Sequence, residues 1–140
     1  MKTILIGGTP SDAHTWNLVF LQLWLQERGY DVVNLGSPLP VPALVRAVAE
    51  TRPDLVAIST VNGHGVLEGE EIGAALAGRS ERGATPLFIG GLLVTRDEDR
   101  PEAAARLAAA GFDGVFFGER GIEEFERALE TLGSPRPAST

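Results

Sequence analysis

The chain contains no cysteine, and Lys2 is the only lysine among its 140 residues. The lack of cysteine excludes a disulfide framework, a cysteine-ligated zinc or iron–sulfur site and a cysteine nucleophile. The net charge is −7 and the remaining basic residues are scattered arginines. We therefore expect no nucleic-acid and no membrane partner. No apolar run approaches the roughly 18–20 residues that span a bilayer. No cleavable signal pattern precedes the apolar run that begins at Thr3, so we expect a cytoplasmic protein.

The rest of the composition is typical of one folded domain, with 44% hydrophobic and 22% charged residues. Short apolar runs rich in Val, Ile, Leu and Phe predict parallel strands that are covered on both faces. These runs are Thr3–Gly7, Asp31–Leu35, Leu55–Val61, Pro86–Ile89 and Gly114–Phe117. The stretches between them predict helices at Thr15–Arg28, Pro42–Thr51, Glu68–Arg79, Arg100–Ala110 and Gly121–Leu132. Strict alternation of strands and helices predicts a doubly wound α/β domain over residues 1–133, followed by a flexible tail at 134–140.

A sheet of this kind binds ligands beyond the carboxyl ends of its strands, and several common ligand sites are excluded there. The first loop, Gly7-Gly8-Thr9-Pro10, lacks the glycine spacing of a dinucleotide fold. A phosphate-binding loop or a phospho-receiver would need a lysine after one of the strands, and the sequence has none beyond Lys2. A receiver would also need an aspartate at the end of the third strand, where this chain has Ser59. A flavodoxin phosphate loop would be dense in Ser, Thr and Gly, whereas this loop holds Pro10 and His14.

Three unusual segments follow three of the predicted strands at that edge. They are Asp12-Ala13-His14, Ser59-Thr60-Val61-Asn62-Gly63-His64-Gly65 and Gly90-Gly91. Asp12 could orient the His14 ring and leave its other nitrogen free for a metal. Alternatively, Asp12 caps the first helix and His14 is an exposed first-turn residue. Gly90-Gly91 could be a tight turn or could allow a bulky ligand to approach the backbone. From spacing alone these alternatives remain open.

The three segments together resemble the signature of cobalamin-binding domains. Ser11-Asp12-Ala13-His14-Thr15-Trp16-Asn17 resembles that family's Asp-x-His-x-x-Gly motif. Ser59-Thr60-Val61 is similar to its Ser-x-Leu motif, and Gly90-Gly91 is similar to its Gly-Gly motif. The similarity extends from about Thr3 to Leu132, and among the subfamilies it is greatest to the small subunit of glutamate mutase. With the strand alternation, the resemblance predicts a flavodoxin-like, Rossmann-like parallel sheet in the order 2-1-3-4-5.

The resemblance implies a role for each matching residue. His14 would be the axial cobalt ligand, and Asp12 would orient it. Ser59 would bond to the dimethylbenzimidazole end of the nucleotide tail, and Gly90 and Gly91 would keep the slot for that tail open. The cofactor-binding residues implied are Ser11, Asp12, Ala13, His14, Asn17, Ser59, Val61, Asn62, Gly63, Gly90 and Gly91. No catalytic side chain is expected in this chain.

Two residues depart from the family pattern. Val61 replaces the leucine of Ser-x-Leu, a small loss of volume at an apolar position. Asn17 replaces the signature glycine and adds a side chain where the family leaves room for the loop or the corrin. Asparagine tolerates left-handed backbone conformations, which relieves a backbone conflict but not a steric one.

The resemblance implies the cobalamin subunit of an adenosylcobalamin-dependent carbon-skeleton mutase, an isomerase that converts glutamate to 3-methylaspartate or acts on a related substrate. A larger catalytic subunit of the barrel type would bind the amino-acid substrate, and this chain would be inactive alone. One alternative is a corrinoid carrier in methyl transfer, although such carriers usually place a helical cap domain before this one. Another is a cofactor-free regulatory or relic module, which the Asn17 replacement favours.

Overall fold

In the part of the chain that the structure describes, five strands alternate with five helices. The strands are β1 (Thr3–Gly7), β2 (Asp31–Asn34), β3 (Leu55–Thr60), β4 (Leu87–Gly91) and β5 (Gly114–Phe117). The helices are α1 (Trp16–Glu27), α2 (Val41–Thr51), α3 (Gly65–Ala77), α4 (Arg100–Ala110) and α5 (Gly121–Gly133). A short 3-10 helix at Asp97–Asp99 leads into α4. This alternation confirms the predicted doubly wound architecture.

The structure is a computed structural model that describes residues 2–12, 14–61, 65–77, 85–94, 96–118 and 121–133. Ala13, Asn62, Gly63 and His64 lie outside the described residues, as does the predicted tail at 134–140. None of the described helices is both long and apolar enough to cross a membrane.

The five strands form one parallel sheet in the order β2-β1-β3-β4-β5, which confirms the predicted order. β3 lies at the centre, where it pairs with β1 on one side and β4 on the other. The register of β3 and β4 places Ser59 beside Gly90 and Thr60 beside Gly91. Residues from two of the unusual segments are therefore direct neighbours at the carboxyl edge of the sheet.

Alternation along each strand divides the apolar side chains between two cores, one on each face of the sheet. Val56 and Ile58 of β3 belong to the core that is covered by α2, α3 and α4. Leu55 and Ala57 belong to the core that is covered by α1 and α5. By the same alternation, Ser59 faces the α1/α5 side and Thr60 faces the α2/α3 side.

Within the described residues, two boundaries differ from the sequence-based prediction by two residues or more, and the others differ by one residue at most. Helix α3 begins at Gly65, three residues before the predicted Glu68, and its first turn packs near Thr60 and Leu93. Strand β4 continues through Gly90 to Gly91 instead of ending at Ile89. Glycine has a low intrinsic preference for strands, but pairing with both β3 and β5 holds these two glycines in the sheet.

Candidate functional site

The candidate site lies at the carboxyl edge of the sheet, where the loop after β1 and the ends of β3 and β4 meet. The β1–α1 loop carries Asp12 and His14, and it approaches the end of β3 through Thr60 and Val61. On the other face of the same edge, Asn17 at the start of α1 contacts Ser59. The fold thus brings together the described residues of all three unusual segments.

Asp12 is completely buried and is the central acceptor of the loop. Its Oδ1 accepts hydrogen bonds from the backbone N–H of His14 at 2.9 Å and from the His14 ring Nδ1 at 2.8 Å. Its Oδ2 accepts from the Thr60 hydroxyl and from the backbone N–H of Val61, each at 2.8 Å. Thr9 contacts the Thr60 hydroxyl in turn, at 3.2 Å. A buried carboxylate is tolerated because every lone-pair direction has a partner.

These contacts keep Asp12 ionised. Burial alone would raise the pKa of the Asp12 carboxyl, but the hydrogen bonds from His14, Val61 and Thr60 outweigh it and hold the pKa below its usual range. Asp12 is therefore a carboxylate at neutral pH and accepts hydrogen bonds only. The His14 nitrogen facing it, Nδ1, must then carry the proton.

The His14 side chain is 65% exposed although its orienting partner is buried. Because Nδ1 donates to Asp12, the neutral ring presents Nε2 as its lone-pair nitrogen, and this is the tautomer that binds metals. The alternative that Asp12 caps α1 is wrong. Thr15 occupies the N-cap position, and no side chain caps that end of the helix. His14 lies in the loop before the first helical residue, Trp16.

The loop is also anchored on both sides of Asp12. The hydroxyl and the backbone N–H of Ser11 donate to the Glu68 carboxylate of α3 at 2.7 and 3.0 Å. The Ser37 hydroxyl donates to the backbone carbonyl of Asp12. Contacts to α3, to β3 and to the segment after β2 thus fix the position of the backbone that carries His14.

A groove of about 570 Å³ opens between the sheet and helices α1 and α5 at the same edge. Its wall contains five aromatic side chains: Phe20, Trp24, Phe88, Phe116 and Phe125. The rings of Phe88, Phe116 and Phe125 pack edge to face, with centroids 5.2–6.0 Å apart. The groove is therefore a rigid apolar slot of a size suited to a flat ring system.

The polar side chains in this groove are few. Apart from the indole of Trp24, only Asn17 and Ser59 among its lining residues carry polar side-chain atoms. Nδ2 of Asn17 donates to Oγ of Ser59 at 2.9 Å, which links α1 to β3. Oδ1 of Asn17 is buried and accepts no hydrogen bond from the residues that the structure describes.

Gly90 and Gly91 line the same groove but serve different purposes. A Cβ at Gly90 would lie 3.3 Å from the carbonyl oxygen of Phe116, a tight but adjustable contact. Gly91 has φ +116°, and a Cβ there would collide with the Thr60 carbonyl oxygen of the neighbouring strand. Gly91 is thus required by the backbone, whereas Gly90 leaves space on the face of the sheet that the groove occupies.

Among the predicted site residues, the structure brings Asn17, Ser59, Val61, Gly90 and Gly91 together around the groove. Asp12 and His14 lie in the adjacent loop, and Ser11 anchors that loop. Sequence analysis missed Thr60 and Glu68, which hold Asp12 and Ser11 from neighbouring elements. Thr60 could have been found, because strand alternation puts it opposite Ser59. For Glu68 the sequence carries no signal, since its contact joins residues 57 positions apart.

Within the described residues, no group of three or more histidine, cysteine, aspartate or glutamate side chains could hold a metal ion. Among the described residues, the single oriented imidazole of His14 could supply only one ligand, which would suit a metal ion that already carries most of its ligands.

The chain belongs to the B12-binding domain family, whose model matches residues 2–127. Within that family, it is similar over most of its length to glutamate mutase sigma subunits. The sigma subunit of Fusobacterium nucleatum is 32% identical over 88% of this chain and 90% of its own length. The sigma subunit of Halobacterium salinarum is 30% identical over 92% of this chain and 85% of its own length.

Solved structures share the fold at lower identity. A cobalamin-binding protein from Desulfitobacterium hafniense superposes with a TM-score of 0.73 at 21% identity, over 92% of this chain and 58% of that chain. The chemotaxis response regulator CheY4 of Vibrio cholerae superposes with a TM-score of 0.70 at 20% identity, over 94% of this chain and 98% of that chain. Because one architecture serves both functions, the site residues and not the fold distinguish them.

Proposed function

We propose that this chain is the cobalamin-binding small subunit of a carbon-skeleton mutase of the glutamate mutase type. The observation that carries the proposal is the pairing of exposed His14 with buried Asp12 beside an aromatic-walled groove at one edge of the sheet. The similarity to glutamate mutase sigma subunits over most of the chain supports the assignment.

Apart from the unpaired oxygen of Asn17, the residues present fit cobalamin in their donor chemistry. His14 would supply Nε2 as a ligand of the cobalt, and Asp12 would hold the ring in the required tautomer. The groove would take the flat base at the end of the nucleotide tail. The Ser59 hydroxyl accepts from Asn17, so its own hydrogen remains available for a ring nitrogen of that base.

When bound, adenosylcobalamin would supply radical chemistry through its cobalt–carbon bond. The chain itself binds and orients. Asp12 accepts the hydrogen bond from Nδ1 of His14, so that the neutral ring would offer Nε2 to the cobalt. The anchored loop holds the imidazole in place, which lowers the cost of ordering it on binding.

Large exposed apolar side chains at the same edge of the sheet support the proposal that a partner subunit binds there. Trp16, 83% exposed, begins α1; Leu67 lies in the first turn of α3 and Leu92 follows β4. Since such residues at one edge form an apolar rim, we expect a catalytic subunit of the barrel type to cover it and exclude water.

The amino-acid substrate would bind in that partner. Within the described residues, the rim offers few free cations for a dicarboxylate. Arg96 pairs with Glu98 at 3.0 Å and with Asp99 at 3.3 Å. Arg100 lies 3.4 Å from Asp97. These described arginines therefore have acidic neighbours of their own, and we expect glutamate or a related substrate to be recognised by the catalytic subunit.

The histidine assignment is tested by mixing the purified chain with cobalamin and reducing it to the paramagnetic cobalt(II) state. In the electron paramagnetic resonance spectrum, nitrogen-15 labelling of the protein should change the hyperfine splitting from the nitrogen bound to cobalt, because that nitrogen would belong to His14. The variant His14→Ala should lose this signal, and His64→Ala, which removes the other histidine of the chain, should keep it. A hyperfine splitting that is the same with and without nitrogen-15 in the protein would overturn the assignment. A parent chain that binds no corrinoid would favour the cofactor-free alternative.

The partner proposal is tested with Trp16→Glu in a co-purification assay with a glutamate mutase catalytic subunit. A charge in the apolar rim should weaken assembly, while cobalamin binding to the isolated chain stays unchanged. Leu23→Glu is the matched control, because Leu23 is exposed on the same helix two turns away from the rim. Isomerase activity from this chain alone would refute the need for a partner.

A further inference from the structure

The amide of Asn17 has an unusual position in an otherwise apolar groove. It belongs to the first turn of α1 and reaches across to β3, where Nδ2 meets the Ser59 hydroxyl at 2.9 Å. Around it the groove presents aromatic rings and aliphatic side chains. A polar group in such surroundings is costly unless both its donor and its acceptor are satisfied.

Only half of this amide is satisfied. Its N–H side is used by Ser59, whereas Oδ1 is buried and accepts no hydrogen bond within the described part of the chain. A buried acceptor without a donor costs free energy that a ligand can recover by supplying the donor. The terminal torsion of an asparagine side chain is broad, so the oxygen can turn a little toward a group seated in the groove.

We infer that Asn17 is a specificity-determining residue that selects corrinoids whose lower base carries a hydrogen-bond donor. This inference rests on the proposed function, in which the groove takes the base of the nucleotide tail. Dimethylbenzimidazole presents two methyl groups and no N–H or O–H to Oδ1. Adenine, which is the lower base of other natural corrinoids, presents an exocyclic amine.

The physical reason for selectivity is the asymmetry of hydrogen bonding. A site with an unpaired buried acceptor rejects a ligand that lacks the matching donor more strongly than an apolar pocket rejects a ligand of the wrong size. A glycine at position 17 would leave neither the acceptor nor the link to Ser59, and the groove would distinguish bases only by their shape and by the Ser59 hydroxyl. The residue that departs from the family signature would thus change which base is bound.

The test uses two corrinoids that differ in a single amine, adeninylcobamide and purinylcobamide. Their dissociation constants are measured by calorimetry and by absorbance titration for the parent chain and for Asn17→Gly. We expect the parent to bind the adeninyl form about 10-fold more tightly than the purinyl form. We expect Asn17→Gly to bind the two forms with nearly equal affinity. The decisive quantity is the ratio of the two dissociation constants, compared between the parent and Asn17→Gly. Any intrinsic difference between the two cobalt–base bonds affects both proteins equally and cancels in that comparison.

Three controls keep the result interpretable. Asn17→Ala removes the amide without the flexibility of glycine, and Gln26→Gly places a glycine on the same helix at an exposed position away from the groove. Cobinamide, which has no base, should bind parent and Asn17→Gly alike. Equal affinity of the parent for both cobamides, or a preference for the purinyl form, would overturn the inference while leaving the proposed function intact. Failure of every corrinoid to bind would overturn both.

Discussion

The two faces of the sheet are packed in different ways. On the α2/α3/α4 face, Gly65, Gly69 and Gly73 form a stripe on α3 at intervals of four residues. A Cβ at Gly69 would lie 2.7 Å from a methyl of Leu107, and one at Gly73 would collide with the Ala110 carbonyl oxygen. On the α1/α5 face, large aromatic side chains line the space between helix and sheet but do not fill it. The α2/α3/α4 face, in which glycines allow close packing, is called the closed face below. The α1/α5 face, in which aromatic side chains leave a groove, is called the open face.

In the proposed function, the closed face supports the loop that carries His14, and the open face binds the nucleotide tail. The closed face carries the buried side chain of Thr60, which helps to hold Asp12 and hence the histidine loop. The open face carries Ser59, Gly90 and the groove. A close-packed face can hold a loop rigidly because its residues cannot shift without strain, whereas a cofactor tail needs a face where space remains.

The largest expected effect comes from filling the open face. Gly90→Leu places a branched side chain in the groove, where the present glycine leaves space. We expect cobalamin affinity to fall about 100-fold, which is the cost of overpacking a fitted site. Thermal unfolding should change little, since a Cβ at Gly90 requires only a small shift of Phe116. Unchanged affinity, measured by absorbance titration, would mean that the groove does not bind the tail.

The matched change on the closed face is Gly73→Ala. The added methyl collides with the backbone of Ala110, which cannot move as a side-chain end can. We expect the free energy of unfolding to fall by about 2 kcal/mol, because overpacking exceeds the gain of roughly 1 kcal/mol in helix propensity. Urea unfolding of Gly73→Ala beside Gly90→Ala makes the comparison direct. Equal loss in both variants would show that the two faces are packed alike.

Asp12→Asn tests the support that the closed face gives to the histidine. The amide keeps one acceptor but puts an NH₂ group against the Thr60 hydroxyl and the Val61 N–H, which are both donors in the present structure. We expect cobalamin binding to weaken at least about 10-fold, as is typical when the orienting partner of a metal-binding histidine is lost. Full affinity in this variant would show that His14 needs no carboxylate partner.

The smallest expected effect is on stability in acid. The folded state lowers the pKa of Asp12, so its contribution to stability is present above the ordinary carboxyl pKa of 3.8 and is lost as the pH falls through the lower folded value. Between about pH 5 and pH 3, the protein without cofactor should lose more stability than Asp12→Asn, which has no carboxyl to protonate at this position. Parallel pH profiles in urea unfolding would contradict this prediction.

The sequence predicts most of the fold because each strand is a short apolar run between turn residues. The misplaced boundaries are informative. Gly90 and Gly91 have no strand preference of their own, and only pairing with β3 and β5 explains their place in β4. Gly65 is likewise typical of a loop in the sequence. A helix can begin there because the absence of a Cβ leaves room for the side chains of Thr60 and Leu93.

The candidate site is harder to predict, because its geometry depends on which way side chains turn. The sequence leaves open whether Asp12 caps a helix or turns inward, and only the proximity of Thr60 and Val61 decides this. Trp24 and Phe125 have the spacing of core residues, and they are in contact with their centroids 5.9 Å apart. They also form part of the groove wall, which follows from the separation of α1 and α5 from the sheet and not from periodicity.

Ser59 and Thr60 are adjacent in β3 and point to opposite faces, so one peptide unit separates the seat proposed for the tail from the support of the histidine loop. A deletion of one residue in this strand would put Thr60 at the groove and Val61 beside Asp12, so that Asp12 would lose its hydroxyl partner, and an insertion would put Thr60 at the groove and Ser59 beside Asp12. We therefore expect the length of β3 between Leu55 and Thr60 to tolerate no change. We expect corrinoid-binding homologues to differ in the residues of this strand but not in its length.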